Sequence, residues 1–348
     1  MSNHKKTNEP TNREWQDLEK QIHALSSDHS PARRKIIADI FRSAVKLTQS
    51  SPGTLNLKIS SSVLKELRHS FDKFAPYKHI PKITIFGSAR VPSDKPLYRL
   101  AKDFASEAVK RNYMIITGGG PGIMAAGNEG AEKYGFGLNI RLPVEQSANQ
   151  FIDAEKLLIN YKYFFTRKLF LVKEAAAFAF FPGGFGTFDE AFEVLTLLQT
   201  GKTNMIPVVF IEPKGFGFWG PLVKFMEGVM LKKGFISKSD KALYQVFNNV
   251  EDALDYVAHF YRNYHSMRFV GDHLSIRIKK ELTVKHLKEA NRLFPTLTHL
   301  GKIQAGTALP EEENEPELKD LPRLLVPFDR KDFGSLRSLI DFINDCKV

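Results

Sequence analysis

The chain has 348 residues, 43% hydrophobic and 26% charged, which suits two domains or one large one with a substantial buried core. One cysteine, Cys346, excludes an internal disulfide framework and a thiolate metal site, and no apolar run reaches the roughly 20 residues of a bilayer span. The net charge of +11 leaves nucleic acid, an anionic membrane or a phosphorylated ligand as classes of partner. The start, Met1-Ser2-Asn3-His4-Lys5-Lys6, is polar with no hydrophobic signal region, so a cytoplasmic protein is expected.

Residues 1–80 hold 14 Lys and Arg against 8 Asp and Glu. Pro31 opens a helical pattern whose Ile36, Ile37, Ile40, Phe41, Ala44, Val45 and Leu47 make one apolar stripe. A Ser-Ser-Pro-Gly break at 50–53 ends it, and a shorter helix is expected over Val63–Phe74. This reads as an N-terminal helical extension packing on a core or on a second subunit.

Residues 81–235 alternate short β-rich runs with amphipathic helices. The spacing predicts strands at Lys82–Phe86, Tyr113–Thr117, Gly137–Ile140, Ala177–Phe181 and Ile206–Ile211. Helices fall at about 96–111, 122–134, 163–174 and 187–200, with another after Trp219. Near-continuous apolar strands between helices mean a doubly wound, Rossmann-like α/β domain with a parallel sheet. Residues 236–348 carry 17 charges of each sign and read as a small C-terminal α+β addition. Its expected parts are a helix over Val250–Tyr261, a strand at Leu274–Ile278, the segment Leu324–Pro327 and a last helix near Ser335–Asn344. The acidic run Glu311–Glu317 reads as a solvated loop.

Two glycine loops each follow a strand and open a helix. In Gly118-Gly119-Gly120-Pro121-Gly122-Ile123-Met124, the helix N-terminus favours an anion and glycine admits a close backbone approach. A dinucleotide fingerprint would need glycine where Ile123 stands, which argues against a nicotinamide enzyme. A tight turn alone would also explain this run. The second loop is Pro182-Gly183-Gly184-Phe185-Gly186-Thr187-Phe188-Asp189-Glu190, and it lacks the lysine of a nucleoside-triphosphate loop. The following helix is expected to bury Phe188, Ala191, Phe192 and Leu195, with Glu190 off that stripe near the first turn. A solvated carboxylate stabilised by the helix dipole is the bland reading of Glu190; two such loops in one sheet favour a site. Arg167-Lys168 lies between them, either a solvated pair or a source of fixed donors to a phosphate or sugar.

The first glycine loop, the Arg-Lys pair and the Pro182–Glu190 motif, in this order, resemble the LONELY GUY (LOG) family, often mislabelled as lysine decarboxylases. The resemblance covers roughly residues 80–235, and the segments 137–143 and 163–168 look like its longer bacterial subgroup. It implies a phosphoribohydrolase that cleaves the N-glycosidic bond of nucleoside 5′-monophosphates, AMP or cytokinin riboside monophosphates, to free base and ribose 5-phosphate. Carried over, Arg167 and Glu190 match the catalytic pair. Lys168, Gly184, Phe185, Gly186, Thr187 and Thr196 match nucleotide-contacting positions, and Glu145 matches a substrate-contacting Glu. Ser88 matches the Gly-Ser after the first strand, and Asp189 stands where plant members have a first Glu. Gly118, Gly119, Gly120, Gly122 and Gly183 complete the expected phosphate cradle. No metal or cofactor is expected, since the ten His are scattered. A homodimer or higher homo-oligomer is implied.

Rival readings are a non-catalytic nucleotide-binding or carrier protein on the same fold, and a nucleic-acid module, which would need exposed aromatics on a basic stripe where the 28 Phe read mostly as core. Amino-acid decarboxylation lacks a lysine in a pyridoxal-phosphate context.

Overall fold

The computed structural model describes residues 12–25, 30–50, 53–141, 147–298 and 300–347. The chain divides into two compact units, Met1–Leu67 and Arg68–Val348. The first unit is helical. It contains α1 (Asn12–Leu25), α2 (Pro31–Gln49) and the larger part of α3 (Thr54–Phe74). The Ser30 hydroxyl accepts from the Arg33 N–H and Pro31 occupies the first turn, which starts α2 where the sequence pattern placed it. Ile22 and Ala38 are buried and α1 packs on α2, but Ile36, Ile40 and Phe41 of the expected stripe are exposed. The helix expected over Val63–Phe74 is longer, beginning at Thr54.

The second unit is built on a parallel sheet of seven strands: β1 (Lys82–Phe86), β2 (Met114–Thr117), β3 (Gly135–Ile140), β4 (Leu158–Tyr161), β5 (Ala177–Phe180), β6 (Val208–Ile211) and β7 (Gln245–Phe247). Their order is β4-β3-β2-β1-β5-β6-β7. The order reverses between β1 and β5, and a ligand crevice belongs at the carboxyl ends of these two strands. The connecting helices are α4 (Pro96–Lys110), α5 (Ile123–Ala131), α6 (Phe164–Lys173), α7 (Phe185–Gln199), α8 (Trp219–Phe225) and α9 (Val250–Phe260). Strand β7 pairs with β6 and α9 packs on α4, so the sheet and its cover run on beyond residue 235.

Alternation of side chains along each strand explains the two layers of core. Ile83, Ile85, Ile115, Ala179 and Val209 meet Phe104, Ala105 and Leu254 of the helices on one face. On the other, Phe86, Phe180, Phe210 and Trp219 form a stack with ring centroids 4.9, 5.6 and 4.5 Å apart in turn. Each such fully buried Phe stabilises the fold by about 1.5–3 kcal/mol. Phe74, the last residue of α3, stacks on Phe136 of β3 at 4.5 Å, and the Ser70 and Tyr161 hydroxyls lie 2.7 Å apart.

A second, antiparallel sheet follows, made of β8 (Tyr264–Val270), β9 (His273–Ile278), β10 (Gln304–Gly306) and β11 (Arg323–Val326) in the order β10-β11-β9-β8. Helices α10 (Val284–Leu293) and α11 (Phe333–Asp345) complete the addition. The acidic run is only partly a solvated loop: Glu311, Glu313 and Glu317 are exposed, but Glu312 and Glu315 are not. Glu312 is only 4% exposed and accepts from Arg277 and Arg323, while Glu315 accepts from Arg268 and Arg277. Three arginines on neighbouring strands need counter-charges, and this segment supplies them.

Candidate active site at the sheet switch point

Three loops converge where the strand order reverses. The Ser88 N–H, after β1, donates to the Pro182 carbonyl after β5 at 3.1 Å. The Ser88 carbonyl accepts from the Ile123 N–H at the start of α5 at 3.0 Å. One residue thus ties together both glycine loops. Two glycines are compelled by this closeness. Gly122 has φ +64°, and a Cβ there would collide with the Ser88 carbonyl; a Cβ on Gly183 would collide with Thr187 Oγ1 and approach Ser88 N.

The first loop, Gly118 to Gly122, is held from below. Thr117 Oγ1 accepts from the Gly119 N–H at 3.0 Å and donates to Asn128 Oδ1 at 2.6 Å. The Asn149 side-chain amide donates to the carbonyls of Gly119 and Gly120 at 3.2 and 3.0 Å. Asn128 and Asn149 were not expected from sequence; lone asparagines outside the glycine runs carry no signal of this kind. Glu145 lies outside the described residues.

The second loop enters α7 earlier than its pattern suggested, so that Phe185, Gly186 and Thr187 form the first turn. Gly184 caps that helix without a side-chain hydrogen bond, and α5 likewise has no side-chain cap. Their N-termini keep the electropositive character that suits a phosphate. The stripe expected for α7 is displaced. Its buried residues are Thr187, Glu190, Ala191, Val194 and Leu198, whereas Phe188 and Phe192 are half-buried. Glu190 therefore lies on the buried face, 4% exposed, and is no solvated helix-start carboxylate.

Arg167 and Lys168, on α6, bring the cationic half of the site. A Cβ on Gly118 would lie 3.6 Å from Arg167 Nη1, so the guanidinium covers the first glycine loop. Arg167 also rests over the Phe164 ring, at 5.3 Å, and its buried Nε has no hydrogen-bond partner. Burial lowers its pKa, opposed by the charges of Glu190, Tyr161 and Asp189. Lys168 Nζ lies 2.7 Å from Asp189, 2.7 Å from Glu193 and 3.4 Å from Glu190 Oε1. Burial works against this ammonium, but the hydrogen bonds to Asp189 and Glu193 outweigh it and hold the proton more firmly than usual. Glu190 Oε2 is buried without a partner. Burial pushes the Glu190 carboxyl up, Lys168 and Arg167 pull it down, and Glu193 adds to the rise.

Close approaches thus link Ser88 with Gly122 and Gly183, Gly183 with Thr187, Gly118 with Arg167, and Lys168 with Glu190. Thr196 lines a groove of about 450 Å³ along α7 with Phe185, Phe188, Phe192 and the Asp189 and Glu193 that bind Lys168. Phe185 is 96% exposed at its end. Glu193 was overlooked in the sequence, though its spacing from Asp189 and Glu190 on one helix, four and three residues on, was a readable signal.

A family model described as "Possible lysine decarboxylase" matches residues 120–257. A cytokinin riboside 5′-monophosphate phosphoribohydrolase of Mycobacterium tuberculosis is 27% identical over 170 residues, 48% of this chain and 88% of the relative. The Arabidopsis thaliana phosphoribohydrolase named LOG2 is 25% identical over 166 residues, 47% of this chain and 75% of the relative. The α/β domain is thus similar in sequence to LONELY GUY-type phosphoribohydrolases. Among solved structures, the molybdenum cofactor carrier protein of Chlamydomonas reinhardtii matches with 19% identity and a TM-score of 0.35, covering 51% of this chain and 96% of that one. DNA processing protein A of Helicobacter pylori matches with 16% identity and a TM-score of 0.35 over 52% and 82%. The matched stretch amounts to about half of this chain in each of these relatives. Among the described residues no helix is long and apolar enough to cross a membrane.

Proposed function

We propose that the protein is a phosphoribohydrolase acting on nucleoside 5′-monophosphates such as AMP or a cytokinin riboside monophosphate. The observation that carries this reading is the pairing, over one glycine cradle, of Arg167 with a buried Glu190 whose Oε2 has no partner. Breaking an N-glycosidic bond builds positive charge on the ribose and negative charge on the departing base. Glu190 Oε2 stabilises the oxocarbenium-like ribose or takes a proton from the attacking water, as carboxylates do in glycoside hydrolysis. Arg167 grips the phosphate or ribose and fixes the geometry, and positioning of this kind can supply several kcal/mol of barrier reduction. The N-termini of α5 and α7, with Thr187, take the 5′-phosphate. Water adds to the anomeric carbon, the base leaves with a proton, and ribose 5-phosphate remains. The working assembly is a homodimer or larger homo-oligomer.

Purified protein incubated with a panel of nucleoside monophosphates should release free base, adenine from AMP, measured by chromatography. Glu190→Gln should lose about a hundredfold or more in turnover while still binding the nucleotide. Tight AMP binding with no base released from any monophosphate would favour the carrier reading instead.

A further inference from the structure

The ammonium of Lys168 is surrounded by carboxylates from a single helix. Asp189 and Glu193 bind it at 2.7 Å each, and Glu190 Oε1 stands at 3.4 Å. Its side chain is 16% exposed, so little of it remains for a ligand. We propose that Lys168 is a positioning residue that keeps the Glu190 carboxylate ionised and aims its bare Oε2 at the reacting centre, instead of touching the nucleotide. The proposal rests on the hydrolase reading and sharpens it.

The physical need is clear from the surroundings of Glu190. Its carboxylate has left water almost entirely, which disfavours the charged form, and Glu193 one turn on disfavours it further. The groups that act against this are Lys168 and Arg167, both on α6. Tyr161 on β4 and Asp189 on α7 face Arg167 as well. Arg167 covers the glycine cradle, where a bound phosphate would draw on its charge. Lys168 is bound at 2.7 Å by both Asp189 and Glu193 of α7, the helix that carries Glu190, so its charge stays beside that carboxylate. The two firm contacts fix the ammonium, and the looser third contact orients Oε1. That leaves Oε2 without a donor, the condition of an oxygen free to meet a developing cation or a water proton.

The test is a pH–rate profile of AMP hydrolysis for the wild type, Lys168→Met, Lys168→Arg and Asp189→Asn. If Glu190 must be ionised, turnover falls as pH drops through its pKa. Lys168→Met should move this acid limb upward by at least one pH unit, about tenfold less turnover below the limb, with KM changed less than threefold. Lys168→Arg should return the limb close to its original place. Asp189→Asn alters an exposed side chain and leaves Lys168 to Glu190 and Glu193; it should move the limb the other way. A limb that stays put while KM rises tenfold would make Lys168 a nucleotide contact and overturn the proposal. Should the wild type hydrolyse no monophosphate, the hydrolase reading falls. Carboxyl ¹³C titration of Glu190 without nucleotide then decides: an upward shift in Lys168→Met upholds the lysine's hold on Glu190, and an unchanged titration overturns it. If Lys168→Met does not fold, the Asp189→Asn titration serves, and an unmoved Glu190 there counts against the proposal.

Discussion

Gly122, the N-cap of α5, and Gly186, inside the first turn of α7, stand under opposite constraints. Gly122 has φ +64° and backbone of another loop pressed against it; Gly186 lies inside the first turn of α7 with no atom within 4 Å of a Cβ. Gly122→Ala should therefore destabilise the protein by about 1–3 kcal/mol, seen as a lower urea midpoint, because both the backbone angle and the contact with Ser88 are lost. Gly186→Ala should stabilise it by up to about 1 kcal/mol, since alanine is the better helix former and nothing obstructs it. If the phosphate comes up against the backbone at Gly186, the same substitution raises the KM for AMP about tenfold, the worth of one lost charge-assisted hydrogen bond. A more stable protein with unaltered KM would remove Gly186 from the phosphate site.

At the scale of elements, the buried ion cluster of the antiparallel sheet is the feature with the largest stake. Arg277 and Arg323 are 2% and 1% exposed and both donate to Glu312. Burial alone would raise the Glu312 pKa, but the Leu309 N–H and the two guanidiniums outweigh it and hold it at about 2. A carboxylate with a lowered pKa in the folded state stabilises fully above its ordinary value of 4.5, and that contribution fades as pH falls towards 2. Glu312→Gln leaves the buried Arg323 without a carboxylate and Arg277 with Glu315 alone, and should cost about 3–5 kcal/mol. Thermal melts from pH 7 to 2 should show the wild type losing stability below pH 4.5 more steeply than the variant. Parallel curves would mean that the carboxylate contributes nothing as an ion. Nothing in Glu311–Glu317 hints at this role, because a charge run reads as solvated until its partners are known; Arg268 and Arg277 lie 35 or more residues earlier on β8 and β9, and Arg323 lies 11 residues later on β11. The same limit governs the rest of the fold. Strands β1, β2, β3, β5 and β6 were legible as apolar runs closed by turn residues. β4 carries a polar Asn160 and β7 is three residues long; both lie at the sheet edges, where pairing and not local preference makes the strand. On α7 the phase of the pattern misled: Phe188 and Phe192 look like core, yet the helix turns Thr187 and Glu190 inward to the crevice. The glycine loops were legible because backbone approach leaves a direct mark in composition; the carboxylate cage of Lys168 was not, because Asp189, Glu190 and Glu193 lie on a different helix.

For the whole molecule, the +11 charge and the exposed apolar surface bear on assembly. The excess is divided between residues 1–80 and 81–235, with 14 basic to 8 acidic residues in one and 19 to 14 in the other. A modest positive field about the proposed phosphate site suits the share carried by the α/β domain. The apolar surface is more telling. Phe164, Phe165 and Leu169 are exposed on α6, the helix that carries Arg167 and Lys168, and Phe185 stands out at the start of α7. Large apolar side chains grouped about a site are costly to leave in water and suit a self-complementary face. Light scattering at micromolar concentration should accordingly give at least twice the chain mass of 39.5 kDa. Phe165→Asp should bring the particle towards the monomer while leaving its helical circular dichroism intact. Because α6 bears both this surface and Arg167, turnover should fall together with the mass as the protein is diluted. A 39.5 kDa particle that hydrolyses AMP at undiminished rate would show that one chain holds the whole site and that these phenylalanines serve something else.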